Sequence, residues 1–228
     1  MTHLTITKHL IPAAALSAVL GLGLAISSQP GHAQDSLDSR AQIGLKIAPV
    51  PLNLKNRNLG RVGLGSYIVN AESGCADCHS KGPDTMYADG GNPYFSQHPA
   101  KINPATYLGG GNDFGAFPAE GFVDIVSRNI TPDKDGLPAG MTLDKFILAI
   151  RTGADADKWH LTCAGPPNVH CVPAPFDGSL LQIMPWPIFQ NMSDHDLGAI
   201  YEYLSAVPCM EGDPGNPEGE DTKGTRCK

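Results

Sequence analysis

Residues 75–79 read Cys75-Ala76-Asp77-Cys78-His79, a C-x-x-C-H run. Two thiols three positions apart reach the two vinyl groups on one edge of a porphyrin. The imidazole that follows lies under the iron, which makes the run the attachment signature of c-type haem. Other chemistries for the same residues are weaker. A thioredoxin-like dithiol opens a helix after a strand in a βαβ setting, and Tyr67 to Gly74 offers little of that. A zinc site needs a second Cys/His pair, and none stands at matching spacing. A structural disulfide is the remaining bland reading. Only one such run exists, so one haem is expected, with His79 as an iron ligand.

A second iron ligand must come from elsewhere in the chain. Beyond the first 33 residues the methionines are Met86, Met141, Met184, Met192 and Met210, and the histidines besides His79 are His98, His160, His170 and His195. Met184 precedes Pro185-Trp186-Pro187, and flanking prolines stiffen a loop that must hold a weak thioether donor. Met192, at a helix entrance, is read as packing, and His195, in a first helical turn, as solvated. Met184 is the favoured sixth ligand; a histidine or an open position is the alternative. A Met/His pair raises the reduction potential and suits electron transfer.

These residues need helices to position them. Leu59 to Asn70 reads as a short helix weakened by Gly60, Gly63 and Gly65, which suit close backbone packing better than a phosphate loop. Thr142 reads as an N-cap, Phe146, Ile147 and Ile150 recur at helical spacing, and Gly153 is a stop. Ser193 opens a clearer helix with Leu197, Ile200, Tyr201 and Leu204 on one face, ended by Pro208, and Asp194 and Asp196 favour its N-terminal dipole. Residues 81–140 hold ten glycines and seven prolines, which argues against regular structure. Their aromatics, Tyr94, Phe95, Tyr107, Phe114, Phe117 and Phe122, suggest an ordered wrap around something apolar.

The chain has 228 residues and a formal net charge of −7, a poor balance for nucleic-acid binding. Its 26 glycines and 20 prolines favour a small, loop-rich fold over a broad sheet enzyme. Residues 1–33 read as a secretory signal peptide. Lys8 is their only charge, Leu10 to Ile26 is an apolar run, and Gly31-His32-Ala33 offers a small-residue cleavage site. Contact with a membrane is expected only if that leader stays attached. Residues 34–57 read as an extended arm, 58–208 as the haem domain and 209–228 as a polar tail. Cys163, Cys171, Cys209 and Cys227 are four further thiols, which in an exported chain suggest two disulfides. Local pairing, Cys163 with Cys171 and Cys209 with Cys227, is favoured among three connectivities.

In order along the chain, Cys75–His79, Ser127-Arg128-Asn129-Ile130-Thr131-Pro132-Asp133, Phe146 to Gly153, Met184-Pro185-Trp186 and the Met192 to Leu204 helix resemble a class I monohaem cytochrome c. More narrowly, they are similar to the cytochrome domains that accompany periplasmic dehydrogenases. The resemblance covers residues 58 to 208 and implies an all-α, cytochrome c-like fold with long loop insertions. It implies His79 and Met184 as axial ligands, and Gly63 meeting Tyr201 or Tyr203 where terminal helices cross. Arg128 would pair with a haem propionate, or its segment would be a plain turn. The resemblance further implies an exported, periplasmic one-electron carrier rather than an enzyme. A dehydrogenase would be its donor and a cytochrome or terminal oxidase its acceptor. The competing expectation is a haem enzyme or small-ligand sensor with a displaceable sixth ligand.

Overall fold

The computed structural model describes residues 38–81, 83–116, 124–155, 161–165, 171–212 and 226–228. The signal-peptide reading of residues 1–33 therefore lies outside the described residues, as do His160, His170, Phe117 and Phe122. Residues 37–228 gather into one compact unit.

The segment read as an extended arm instead carries helix α1, Ser39–Ile47. Asp38 caps it by accepting from the Arg40 N–H at 3.2 Å, and Lys46 lies in its last turn, favourable to the dipole. Its buried face consists of Ala41 and Gly44, while Ile43 and Ile47 are exposed. A face of small residues leaves no periodic apolar signal, which is why the sequence reads as extended. Helix α2, Leu59–Tyr67, follows, capped by Asn58, which accepts from the Arg61 N–H at 3.0 Å. A π turn, Ile68–Glu72, continues it. The short helices α3, Cys75–His79, and α4, Pro83–Met86, come next, then a 3-10 turn, Pro93–Phe95.

Strands β1, Asp113–Ala116, and β2, Asp124–Val126, pair antiparallel with an irregular register. Helix α5 spans Leu143–Thr152. Strands β3, Leu161–Thr162, and β4, Cys171–Val172, pair in parallel. Helices α6, Trp186–Phe189, and α7, Asp194–Leu204, complete the order. The expectation of an all-α fold is thereby corrected. Helix takes 38% and strand 10%, a mixed α/β content. The strands fall inside stretches expected to be loop insertions. They are too short to show a two-residue period, and a disulfide beside β3 and β4 helps hold that pair together.

The core forms where α1, α2 and α7 stack. Val62, Ile68, Val69, Leu197, Tyr203 and Leu204 are all buried there. The helices approach closely because glycines face their neighbours. A Cβ on Gly63 would strike the Ala41 carbonyl, and one on Gly44 the Gly63 carbonyl, so α1 and α2 meet glycine to glycine. Ser66 Oγ reinforces this contact by donating to the Gly44 carbonyl at 2.7 Å. The α2–α7 crossing falls on Gly65, whose Cβ would strike the Ala199 carbonyl and lie 2.8 Å from Tyr203 Cβ. Close packing by the glycines is therefore present, but Gly63 serves α1, and Gly65 rather than Gly63 meets Tyr203. Gly65→Ala is expected to destabilise the protein by about 2 kcal/mol, because overpacking against backbone outweighs the gain of about 1 kcal/mol in helix propensity. Urea denaturation checks this; a midpoint equal to the parent's would mean that the crossing opens freely.

Helix α7 begins as expected, with Ser193 Oγ accepting from the Asp196 N–H at 3.1 Å, but its last helical residue is Leu204, short of Pro208. Helix α5 ends at Gly153, whose φ of +72° forms the left-handed cap. The aromatic wrap holds only in part. Tyr107 is buried and Phe114 reaches a cavity described below, whereas Tyr94 and Phe95 project outward, 79% and 66% exposed.

Candidate haem-binding site

Helix α3 is a single turn that contains the five residues of the C-x-x-C-H run and nothing else. Gly74 opens it in the left-handed conformation (φ +57°), and the Asp77 N–H donates to the Gly74 carbonyl at 2.9 Å. This tight start places Cys75, Cys78 and His79 on a common side of the turn, and all three line one cavity. The two thiols are half-buried and not bonded to each other. Burial pushes the Cys75 thiol up to about 12 and raises that of Cys78. Both are protonated at neutral pH, the opposite of an activated redox dithiol. Among the described residues, no cluster of three or more His, Cys, Asp or Glu could hold a bare metal ion.

His79 Nδ1 lies 2.8 Å from the Arg128 carbonyl. A carbonyl can only accept, so Nδ1 carries the proton and Nε2 keeps its lone pair. Burial lowers the pKa of His79 below the ordinary imidazole value, so the ring is neutral at neutral pH. The platform behind it is held by Gly110, whose N–H donates to the His79 carbonyl at 2.7 Å. Gly110 has φ +73°, and a Cβ there would lie 2.5 Å from the Arg128 carbonyl carbon and 2.6 Å from Asn129 N. Gly110→Ala combines left-handed strain with a backbone clash. It should cost about 3 kcal/mol and weaken the His79–Arg128 contact. Thermal unfolding and the His79 Nδ1–H proton resonance test this, and a parental result in both would reject the role given to Gly110.

Met184 reaches the same cavity from the loop between β4 and α6. That loop is tied to the end of α5. The Leu181 N–H donates to the Gly153 carbonyl at 2.7 Å, and Trp186 Nε1 donates to the Leu181 carbonyl at 3.1 Å. The Trp186 ring packs on Gly153 where any side chain would collide with it. Met141 and Met192 also line the cavity, so three methionines border it. Met141, Met184 and Met192 all pack against the core as well, and Met141 was not singled out by the sequence. Among the described residues, His79 is the one histidine on the cavity wall; His98 is exposed, and His195 sits at the surface beside Asp196.

The remaining wall is mostly apolar, including Ile130, Phe146, Ile150, Leu181, Ile200 and Leu204. Its charged part is an ion pair, Arg128 to Asp155 at 3.0 Å, in which Asp155 is 7% exposed. The Arg128 guanidinium thus contacts a carboxylate of the chain itself, while its carbonyl orients His79. Sequence reasoning missed Asp155, because nothing local marks a partner 27 positions away. Behind the site, Tyr107 and Tyr203 hydroxyls lie 2.7 Å apart, and both bond to Asn70. Burial raises both phenols' pKa values, leaving them neutral.

The two further bridges are Cys163–Cys171 and Cys209–Cys227, the local pairing favoured by the sequence. Disulfides of this kind fit a non-cytosolic compartment. No helix among the described residues is long and apolar enough to cross a membrane. Two thiols and a neutral imidazole on one turn, with three methionines bordering the same mostly apolar cavity, are the nitrogen and sulfur groups that could hold a cofactor there. No protein-family model matches the chain, and no curated sequence matches it.

Proposed function

We propose that the protein is a monohaem c-type cytochrome that carries single electrons between periplasmic redox partners. The observation that carries this reading is the convergence of Cys75, Cys78, His79 and Met184 on one apolar cavity. Cys75 and Cys78 would hold haem c through thioethers, with His79 Nε2 and the Met184 sulfur on its iron. When bound, haem supplies a one-electron couple whose potential follows its axial ligands and burial.

The chain's own residues do the rest. The Arg128 carbonyl fixes the His79 tautomer and makes the imidazole a stronger donor. Pro185 and the Leu181 and Trp186 bonds restrain the thioether loop. The mostly apolar wall offers water few partners beside the donors, and donors held in place rearrange little on a change of charge. The net charge of −7 favours partners that present basic patches and makes association salt-dependent. A dehydrogenase as donor and a cytochrome or terminal oxidase as acceptor suit such a carrier. The leader of residues 1–33 would direct it to the periplasm, in keeping with its two disulfides.

The test is intact mass and absorption of protein matured in a host that attaches c-type haem. The expected result is one covalent haem and a low-spin spectrum with the weak far-red sulfur–iron band when oxidised. Colourless protein at the mass of bare polypeptide would sink the reading. A high-spin spectrum that shifts readily with carbon monoxide would replace the carrier with an enzyme or sensor.

A further inference from the structure

The two disulfides stand outside the residues that line the cavity, and each is tied by hydrogen bonds to the segment of one proposed iron donor. Cys163–Cys171 flanks the β3–β4 pair, where the Cys163 N–H donates to the Val172 carbonyl at 2.8 Å. Thr162 Oγ1 accepts from the Gly178 N–H at 2.9 Å. The turn that follows is pinned to the end of α5, with the Asp155 N–H donating to the Ser179 carbonyl at 2.9 Å and Leu180 bridged to Ala154. Met184 follows directly, on a loop that has no helix or strand of its own until α6.

Cys209–Cys227 closes over the other ligand segment. The Met210 N–H donates to Thr131 Oγ1 at 3.0 Å. Asn129 Nδ2 donates to the Met210 and Gly212 carbonyls at 3.0 and 2.7 Å. Arg226, next to Cys227, donates through Nη2 to the Thr131 carbonyl at 2.7 Å. Asn129 and Thr131 are fully buried in this clamp. They directly follow Arg128, whose carbonyl orients His79.

We propose that the bridges are positioning devices with separate duties. Cys163–Cys171 keeps the Met184 thioether in the cavity, and Cys209–Cys227 keeps the Arg128 carbonyl against His79 Nδ1. The inference rests on the haem reading above. A thioether is a weak donor, so a loosened loop shifts the population toward states in which it is displaced. An imidazole that loses its carbonyl acceptor becomes a poorer donor, which raises the reduction potential.

The test compares Cys163→Ser/Cys171→Ser and Cys209→Ser/Cys227→Ser with the parent, each as haem-bearing protein checked for folding by circular dichroism. The first variant should lose most of the far-red sulfur–iron band, and its reduced form should bind carbon monoxide about ten-fold more tightly. The second should keep the band and the parental carbon monoxide affinity while its reduction potential rises. If the first does not fold, Thr162→Val keeps that bridge and removes only the acceptor for Gly178; a gain of about two-fold in carbon monoxide affinity is expected. For the second bridge, Thr131→Val removes the hydroxyl that accepts from the Met210 N–H without adding charge and should raise the potential alone. A haem-bearing parent whose variants change alike, or keep parental band, affinity and potential, would overturn this division of duties. A parent without haem would instead overturn the functional reading beneath it.

Discussion

A chain in which Cys75 and Cys78 are both serine, matured beside the parent, is expected to come off purification colourless and at the mass of the bare polypeptide. The expectation follows from α3. Its single turn sets both thiols on the cavity, unpaired and protonated, with Cys75 pushed up to about 12 by burial. Neither thiol makes a disulfide, which leaves both open to the covalent attachment proposed above. Exchanging a half-buried thiol for a hydroxyl costs the fold about 1–2 kcal/mol. Helix content by circular dichroism should therefore survive while colour does not. A double variant that stayed coloured, with haem covalently bound, would refute the assignment of these thiols.

The second large effect is expected from Met184→Ala. With the sulfur gone, the far-red band of the oxidised protein should vanish, and the reduction potential should fall by on the order of 100 mV. Met141 and Met192 supply the necessary comparison, because their thioethers line the same cavity. Met141→Leu and Met192→Leu keep the packing volume and should leave the band intact. Should either leucine variant lose the band while Met184→Ala keeps it, the sixth donor has been misassigned. Truncating the half-buried Met184 should cost less stability than the roughly 2–5 kcal/mol typical of a fully buried methionine, so the spectral change cannot be ascribed to unfolding.

What could be read from the sequence divides along physical lines. The C-x-x-C-H signature is local, five consecutive residues on what proves to be one helical turn, so Cys75, Cys78 and His79 stood out at once. Helices α5 and α7 were legible because large apolar residues recur on one face and Thr142 and Ser193 precede them, although of these two only Ser193 caps through its side chain; α2 was legible more faintly, its apolar spacing interrupted by three glycines. Helix α1 was not, since its contact with α2 is made by Ala41 and Gly44, and small residues write no period. The identity of the crossing glycine, Gly65 rather than Gly63, depends on which neighbour each face meets. That is a tertiary fact. The β1–β2 and β3–β4 ladders are two to four residues long, and they overturn the all-α expectation without ever producing an alternating pattern. Met184 was signalled by its prolines, but the nearness of Met141 and the pairing of Asp155 with Arg128 join residues far apart in the chain.

The bridge connectivity has a bearing on biosynthesis. All four bridged sulfurs lie downstream of Cys78, and each joins a neighbour only 8 or 18 positions away. Short loops close at a lower entropic cost than long ones, so each of these four thiols finds its own partner more readily than it finds Cys75 or Cys78 far upstream. Oxidation can therefore complete both bridges without cross-linking them to the α3 turn.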